Sequence, residues 1–126
     1  MTILNLTQHR ASNAQKNEGV IDLPERTRGE LLKLLTFDEI PTKKVIEERA
    51  RRIGKLAKQT INELNLNEVG FMVGGAPFLM PALTEELKKL GKPLFAFSKR
   101  VTKEEVMSDG STKKISIFKH EGFIEV

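Results

Sequence analysis

The stretch EVGFMVGGAPFLMPALTEELKKLG, residues Glu68–Gly91, contains three different patterns in direct succession. An apolar run ends at Val73, two glycines and a proline follow, and an amphipathic segment then extends from about Phe78 to Leu90. Short apolar runs bounded by glycine are typical of buried strands, and apolar residues spaced by three or four are typical of helices. Gly91 is a residue type that commonly ends a helix. The stretch therefore predicts a strand, a loop and a helix, the repeating unit of a parallel sheet.

The sequence on either side of this unit repeats the same alternation. Thr2–Leu6 and Val20–Pro24 predict two short strands, and Lys92–Ser98 predicts a fourth. Ser12 and Gln15 have the spacing of a capping box, which predicts a short helix between the first two strands. Two longer helices are expected before the third strand. The first covers Thr27–Phe37, and the second begins after a cap at Thr42. The apolar residues of the second helix fall on one face, namely Ile46, Ala50, Ile53, Ala57, Ile61 and Leu64.

After Ser98 the pattern changes from alternating strands and helices to a β-hairpin. Arg100–Met107 and Lys113–Lys119 flank the dipeptide Asp109-Gly110, which is a strong hairpin signal, and the final Gly122–Val126 suits an edge strand. We therefore expect one domain, residues 1–126, with the α/β architecture of a three-layer Rossmann-like sandwich. Its mostly parallel sheet would have the order 2-1-3-4, with the C-terminal β-hairpin beyond strand 4.

The composition favours some functions and excludes others. The net charge of +4 and the pI near 9.4 give a mild basic bias, which favours polyanionic ligands such as nucleotides or nucleic acid. The absence of cysteine excludes disulfides, thiolate catalysis and cysteine-ligated metals. The start MTILNLTQHR lacks the layout of a signal peptide, and no apolar run approaches the ~20 residues needed to cross a bilayer. We expect a soluble, cytoplasmic protein that does not enter a membrane.

Polar and glycine-rich residues follow two strands that we expect to be neighbours. In the order 2-1-3-4 the winding reverses between the first and third strands, and ligands of such sheets bind at this switch point. Asn5–His9 would then face Gly74–Pro77. The glycines permit close approach of the backbone, and the following helix presents free N–H groups, which suits phosphate. The alternative is a plain structural turn, because the segment matches neither G-x-G-x-x-G nor a P-loop.

The chemical groups expected at this edge are amides, hydroxyls, an imidazole and cations. We expect His9 just past the first strand, whereas His120 is expected at the surface. The candidate ligand-binding residues are Asn5, Gln8, Gly74, Gly75, Ala76, Pro77, Ser98, Lys99 and Arg100. The sequence contains no metal-ligand cluster and no catalytic triad signature, so we expect neither a metal nor a cofactor. The groups suit nucleotide binding, or a metal-free phosphodiester cleavage by a ribose 2′-hydroxyl, although solvated or structural roles remain alternatives.

Two segments, Asn5-Leu6-Thr7-Gln8-His9 and Gly74–Leu83, together resemble the small single-domain CRISPR-accessory proteins related to CARF domains. That resemblance implies binding of cyclic oligoadenylate second messengers, with ring-nuclease cleavage in some members, as part of antiviral defence. It implies that Thr7 and His9 are the catalytic candidates, that the glycine loop contacts phosphate or ribose, and that the protein is a homodimer.

Two other classes of function remain open from the sequence. A non-enzymatic protein or nucleic-acid interaction module, associated with phage or defence, would use the hairpin together with the charged face of the long helix. That face holds Lys43, Lys44, Glu47, Glu48, Arg51, Arg52, Lys55 and Lys58, for which plain solvation is a further alternative. A transferase acting on a small substrate in the same crevice would present the same residues. The sequence leaves open whether the protein is an enzyme.

Overall fold

The computed structural model describes residues 1–126 and contains five strands and four helices. In chain order they are β1 (Thr2–Asn5), α1 (Asn13–Asn17), β2 (Val20–Asp22), α2 (Glu25–Leu35), α3 (Lys43–Glu63), β3 (Val69–Val73), α4 (Met80–Lys88), β4 (Lys92–Val106) and β5 (Thr112–Glu125). None of the four helices combines the length and the apolar character that crossing a bilayer requires.

All five strands form one sheet in the order β2-β1-β3-β4-β5. The first four strands of that order run parallel to one another, and β5 pairs antiparallel with β4. In the register, Asn5 of β1 lies between Asp22 of β2 and Met72 of β3. The expected order and the α/β fold class are confirmed, and the winding direction reverses between β1 and β3.

The two faces of the sheet bury different sets of side chains, because successive residues of a strand point to opposite sides. On one face Leu4 and Phe71 belong to a large cluster that contains the buried residues of α2, α3 and α4. On the other face Ile3 and Met72 belong to a small cluster with Ala11, the residue that precedes the capping residue of α1. Helix α1 itself buries no residue, so this second outer layer is thin.

Local sequence signals explain where the helices begin. Ser12 and Gln15 form the expected capping box at α1, and the hydroxyl of Thr42 accepts a hydrogen bond from the N–H of Val45 at the start of α3. Helix α2 begins at Glu25 rather than at Thr27, with Pro24 as its N-cap residue. Helix α4 begins at Met80, so the preceding segment is a shaped loop.

The C-terminal hairpin is longer than the sequence predicts. Strand β4 does not end at Ser98 but continues to Val106, and β5 includes both the expected hairpin strand and the segment expected as a separate edge strand. A register shift between Phe97 and Ser98 marks the point where the pair leaves the core, and most residues beyond it are exposed. We call the paired segment from Ser98 to His120 the β4–β5 ribbon. Its turn at Asp109-Gly110 is as expected.

The expectation that His120 lies at the surface is wrong. Its side chain is only 5% exposed, and Nε2 lies 3.0 Å from Oε1 of Glu18, the C-cap residue of α1. The imidazole also packs on the ring of Phe123, with 4.9 Å between the ring centroids. His120 is therefore buried beside the C-terminal end of α1, although neither ring nitrogen has a hydrogen bond of good geometry. Its position near a strand end gives no sign of this burial in the sequence.

Candidate functional site

The loops that follow β1 and β3 lie side by side at the carboxyl edge of the sheet. The N–H of Leu6 donates to the carbonyl oxygen of Met72 over 2.9 Å, so the two strands remain paired up to their ends. Beyond that point, a Cβ atom placed on Gly74 would lie 3.5 Å from Cγ2 of Thr7. The expected juxtaposition of the Asn5–His9 segment with the glycine loop is therefore confirmed.

Between these loops lies an open crevice with a volume of about 360 Å³. It is lined by Thr7, Gln8, His9, Arg10, Gln15, Met72, Val73, Gly74, Gly75, Phe95 and Ala96. Five of the expected site residues are among them, namely Thr7, Gln8, His9, Gly74 and Gly75. The crevice combines a polar rim from the β1 loop with an apolar wall from β3 and β4.

Asn5 lies beneath the crevice and organises the β1 loop from below. It is 3% exposed, and its Nδ2 donates to the carbonyl oxygen of His9 over 2.7 Å and to Oδ1 of Asp22 over 2.8 Å. Its Oδ1 accepts from the N–H of Thr7 over 3.0 Å. A buried amide with its polar atoms satisfied in this way stabilises a loop conformation, so Asn5 acts on the crevice through the loop rather than by lining it.

Asp22 anchors this network to β2. Burial of the Asp22 carboxyl opposes its ionisation, but hydrogen bonds from Asn5 and from the N–H of Ala11 outweigh that effect, helped by the charges of Lys16 and Arg10. Together they hold the pKa of Asp22 below its usual range. The carboxylate form of Asp22 is therefore the one that stabilises the folded loop.

This lowered pKa predicts an acid-dependent loss of stability that the variant Asp22→Asn lacks. A depressed pKa in the folded state contributes stability above the unfolded pKa of about 3.9, and that contribution disappears as the pH falls through the folded pKa. Urea midpoints of both proteins should therefore differ most at neutral pH and converge below about pH 3.9. A difference between the two proteins that stays constant from neutral pH down to strongly acidic pH would contradict this role.

The side chains at the rim differ in how freely they can reach a ligand. The Thr7 hydroxyl lies 2.7 Å from Oδ1 of Asn5 and 3.1 Å from the carbonyl oxygen of His9, so its single proton is donated within the loop while its lone pairs stay available. The side chain of His9 is exposed. Arg10 forms an ion pair with Glu25 over 2.8 Å, a contact between exposed groups that a phosphate could replace.

The loop from Gly74 to Phe78 offers unpaired backbone donors. The N–H groups of Gly74, Gly75, Ala76 and Phe78 donate to no backbone carbonyl, and Pro77 has no N–H. The next two N–H groups, from Leu79 and Met80, bond back to the carbonyl oxygens of Ala76 and Pro77. Gly75 has a φ of +130°, a backbone conformation that residues other than glycine rarely adopt. Because the loop leads into α4, the positive end of that helix points toward the same place. These features suit an anion.

Six of the expected ligand-binding residues do not line the crevice. Asn5 lies beneath it, while Ala76 and Pro77 belong to the same loop as Gly75 without being part of the wall. Ser98, Lys99 and Arg100 belong to the β4–β5 ribbon, where they pair with His120, Lys119 and Phe118. Ser98 instead lines a separate cavity of about 350 Å³ between α1 and the ribbon.

Some of the lining residues were not expected from the sequence. Phe95 forms part of the wall because β4 pairs with β3, which places it opposite Val73. Gln15 of α1 also lines the crevice, and the capping box in which it takes part does not predict this location. The paired register of β3 and β4 is the signal that could have identified Phe95. No three His, Asp or Glu residues lie close enough together to hold a metal ion.

The doubly wound sheet and a crevice at its switch point define an α/β protein with one candidate ligand site at the carboxyl edge. A family model described as the uncharacterized protein MJ1673 family matches residues 1–124, so the chain belongs to this family. No curated protein and no solved structure matches the chain significantly.

Proposed function

We propose that the crevice binds a nucleotide second messenger, with cyclic oligoadenylate as the ligand class. The observation that carries this proposal is the pair Gly74 and Gly75, which have unpaired N–H groups and line the crevice opposite the Thr7–Arg10 rim. Such donors bind phosphate oxygens without a metal ion. The resemblance of the Asn5–His9 and Gly74–Leu83 segments to CARF-related proteins supports the choice of messenger.

The shape of the crevice supports a nucleotide rather than a bare anion. The unpaired amides and the guanidinium of Arg10 would hold the phosphate, and Gln8 offers an amide able to bond a ribose hydroxyl or a base edge. Met72 and Phe95 supply an apolar wall on which part of the base can rest. A few polar groups beside an apolar wall are typical of sites for small molecules.

The size of the crevice supports the proposal that two copies share one ring. Pockets for small molecules enclose roughly 300–1,000 Å³. The volume of about 360 Å³ is at the low end of that range, which suits one nucleotide but not a whole ring. A two-fold symmetric homodimer would place two crevices against opposite sides of one cyclic ligand. The protein would then act in antiviral defence, without a cofactor, as the CARF-like resemblance implies.

The same geometry supports a metal-independent cleavage of the ring. In that step the 2′-oxygen of a ribose forms a bond to the adjacent phosphorus, the bond from phosphorus to the 5′-oxygen breaks, and a 2′,3′-cyclic phosphate results. His9, an exposed imidazole on the rim, would accept the proton of the 2′-hydroxyl, and the departing 5′-oxygen would take a proton from water. The amides of the glycine loop would stabilise the charge on the phosphoryl oxygens.

Incubation with cyclic tetra-adenylate in the presence of EDTA tests this proposal. We expect the ligand to raise the melting temperature of the wild-type protein and chromatography to show linear products ending in a cyclic phosphate. The variant His9→Ala should keep the thermal shift and lose at least ten-fold in cleavage rate, because the loss of one general base typically costs 10²–10⁴-fold. The matched control is Lys113→Ala, which alters an exposed residue of the β4–β5 ribbon, outside the crevice.

The outcomes of this experiment separate binding from catalysis. A thermal shift without products would retain the binding site and reject the cleavage step. Neither a shift nor products would reject cyclic tetra-adenylate as the ligand. Equal rates for wild type and His9→Ala would reject His9 as the base.

A further inference from the structure

A groove between α2 and α3 carries an excess of positive charge at a distance from the crevice. Its volume is about 920 Å³, and it shares no lining residue with the crevice. The residues that line it are Glu30, Lys33, Leu34, Glu48, Arg49, Arg51, Arg52, Lys55 and Leu56. Five cations therefore line one concave surface beside only two carboxylates. We call this surface the α2–α3 groove.

Arg49 is held in place at the wall of the α2–α3 groove. Its Nη1 donates to the carbonyl oxygens of Lys33 and Leu34 over 3.2 and 3.0 Å, so it binds the last carbonyl groups of α2. Its guanidinium carbon lies 4.5 Å from the centre of the Phe37 ring. Because these contacts immobilise the guanidinium, the charge of Arg49 stays at the groove whether or not a ligand is bound.

The other four cations of the groove, Lys33, Arg51, Arg52 and Lys55, are not neutralised by neighbours. None of them lies within 4.0 Å of a carboxylate, whereas the surface cations Arg10, Lys88, Lys89 and Lys92 each form an ion pair. Helix α3 as a whole carries seven lysines and arginines against three glutamates. The basic bias of the chain is therefore concentrated on this helix and exposed at the groove.

The spacing of these charges indicates which polyanion fits them. Arg51 and Lys55 both line the groove and are four residues apart on α3, which is ~6 Å along the helix axis. Each strand of a duplex carries one negative charge per ~3.4 Å of axis, so phosphates are dense enough to meet every one of these cations. No aromatic side chain lines the groove, so it offers no surface on which single-stranded bases could stack. Double-stranded nucleic acid fits both observations, because it presents a row of phosphates and its paired bases need no aromatic surface on which to stack.

We propose that the α2–α3 groove binds the phosphate backbone of double-stranded nucleic acid without sequence selectivity. This interaction goes beyond nucleotide binding in the crevice and uses different residues, so either activity can exist without the other. Arg51, Arg52 and Lys55 make the exchangeable phosphate contacts, and the immobilised Arg49 adds a permanent charge behind them.

Fluorescence anisotropy tests this proposal. The full-length chain is titrated into a labelled 20-base-pair duplex of mixed sequence at several salt concentrations. Binding should weaken with salt at a slope of about −0.9 per phosphate contact. The double variant Arg51→Glu/Arg52→Glu should lose at least ten-fold in affinity and make the slope shallower by about two contacts. The matched control Lys88→Glu/Lys89→Glu changes the net charge equally on α4 and should lose less than two-fold.

Every outcome decides for or against the α2–α3 groove. Equal losses in the two double variants would show a dependence on net charge alone and would overturn the proposal. Absence of duplex binding at low salt would also overturn it, as would tighter binding of polyglutamate than of the duplex. Circular dichroism spectra establish that the variants fold. The crevice variant Gly75→Val should retain duplex binding, so failure of the nucleotide proposal is distinguishable from failure of this one.

Discussion

Replacing Gly91 with alanine is expected to destabilise the fold by about 3 kcal/mol, at the upper end of what overpacking typically costs. A Cβ atom on Gly91 would lie 2.2 Å from the carbonyl oxygen of Val69 and 3.0 Å from Cε2 of Phe71. The first contact is with the backbone at the start of β3, which cannot rotate away, and the second is with a fully buried ring. The substitution must therefore push the turn after α4 away from the sheet.

Urea denaturation of Gly91→Ala and of the matched variant Gly29→Ala measures this effect. Gly29 lies within α2, and a Cβ atom added there meets nothing within 4 Å. Alanine at that position should therefore stabilise the protein by about 0.5–1 kcal/mol, because it favours the helix and restricts the unfolded chain. If both variants were as stable as the wild type, the close approach of Gly91 to β3 would not exist in solution.

The substitution Gly75→Val is expected to weaken binding of cyclic tetra-adenylate at least 30-fold, or about 2 kcal/mol. The φ of +130° at Gly75 is unfavourable for valine, so the backbone must change where it presents N–H groups to the crevice. A Cβ atom on Gly75 meets nothing within 4 Å, so the added side chain is exposed in the space that we assign to the ligand. The loss therefore combines displaced amides with direct steric exclusion.

The matched control is Gly110→Val in the turn of the β4–β5 ribbon. Gly110 has a φ of +86° and equally open surroundings, so valine there introduces comparable backbone strain, about 1–3 kcal/mol, outside the crevice. Isothermal titration calorimetry should show near wild-type affinity for this control. If both variants bound the nucleotide as tightly as the wild type, the loop after β3 would not be the site of contact.

The juxtaposition of the β1 and β3 loops could be predicted because it follows from local patterns and one topological rule. Apolar runs and glycines identify Thr2–Leu6 and Glu68–Val73 as strands, and alternation with helices indicates parallel pairing. Right-handed connections then leave few possible sheet orders, one of which is the observed order. Both loops emerge at the same edge for that reason alone.

The role of Asn5 could not be predicted in the same way. A sequence shows that an amide is present at the end of a strand but not the direction in which the side chain points. The observed register places Asn5 beside Asp22 of β2, and only this pairing shows that the amide is satisfied within the fold. Recognising this network from the sequence would require knowing that β1 and β2 pair in the register that places Asp22 beside Asn5.

The length of the β4–β5 ribbon was also not predictable from periodicity. Alternation of apolar and polar residues marks a strand when one of its faces is buried, but beyond Phe97 most residues on both faces of the ribbon are exposed. Charged residues therefore occur on both faces, and the segment Ser98-Lys99-Arg100 looks like a loop although it is paired. The placement of these three residues at the crevice followed from that interpretation.

Amide NMR of the ¹⁵N-labelled protein, titrated with cyclic tetra-adenylate, tests most directly whether the loop after β3 binds the phosphate. We predict that the largest changes in chemical shift occur at the N–H groups of Gly74, Gly75, Ala76 and Phe78, with smaller changes at Thr7–Arg10. The resonances of the β4–β5 ribbon turn should not move. Saturable changes confined to residues outside these two loops, or no saturable change at all, would contradict the proposed site.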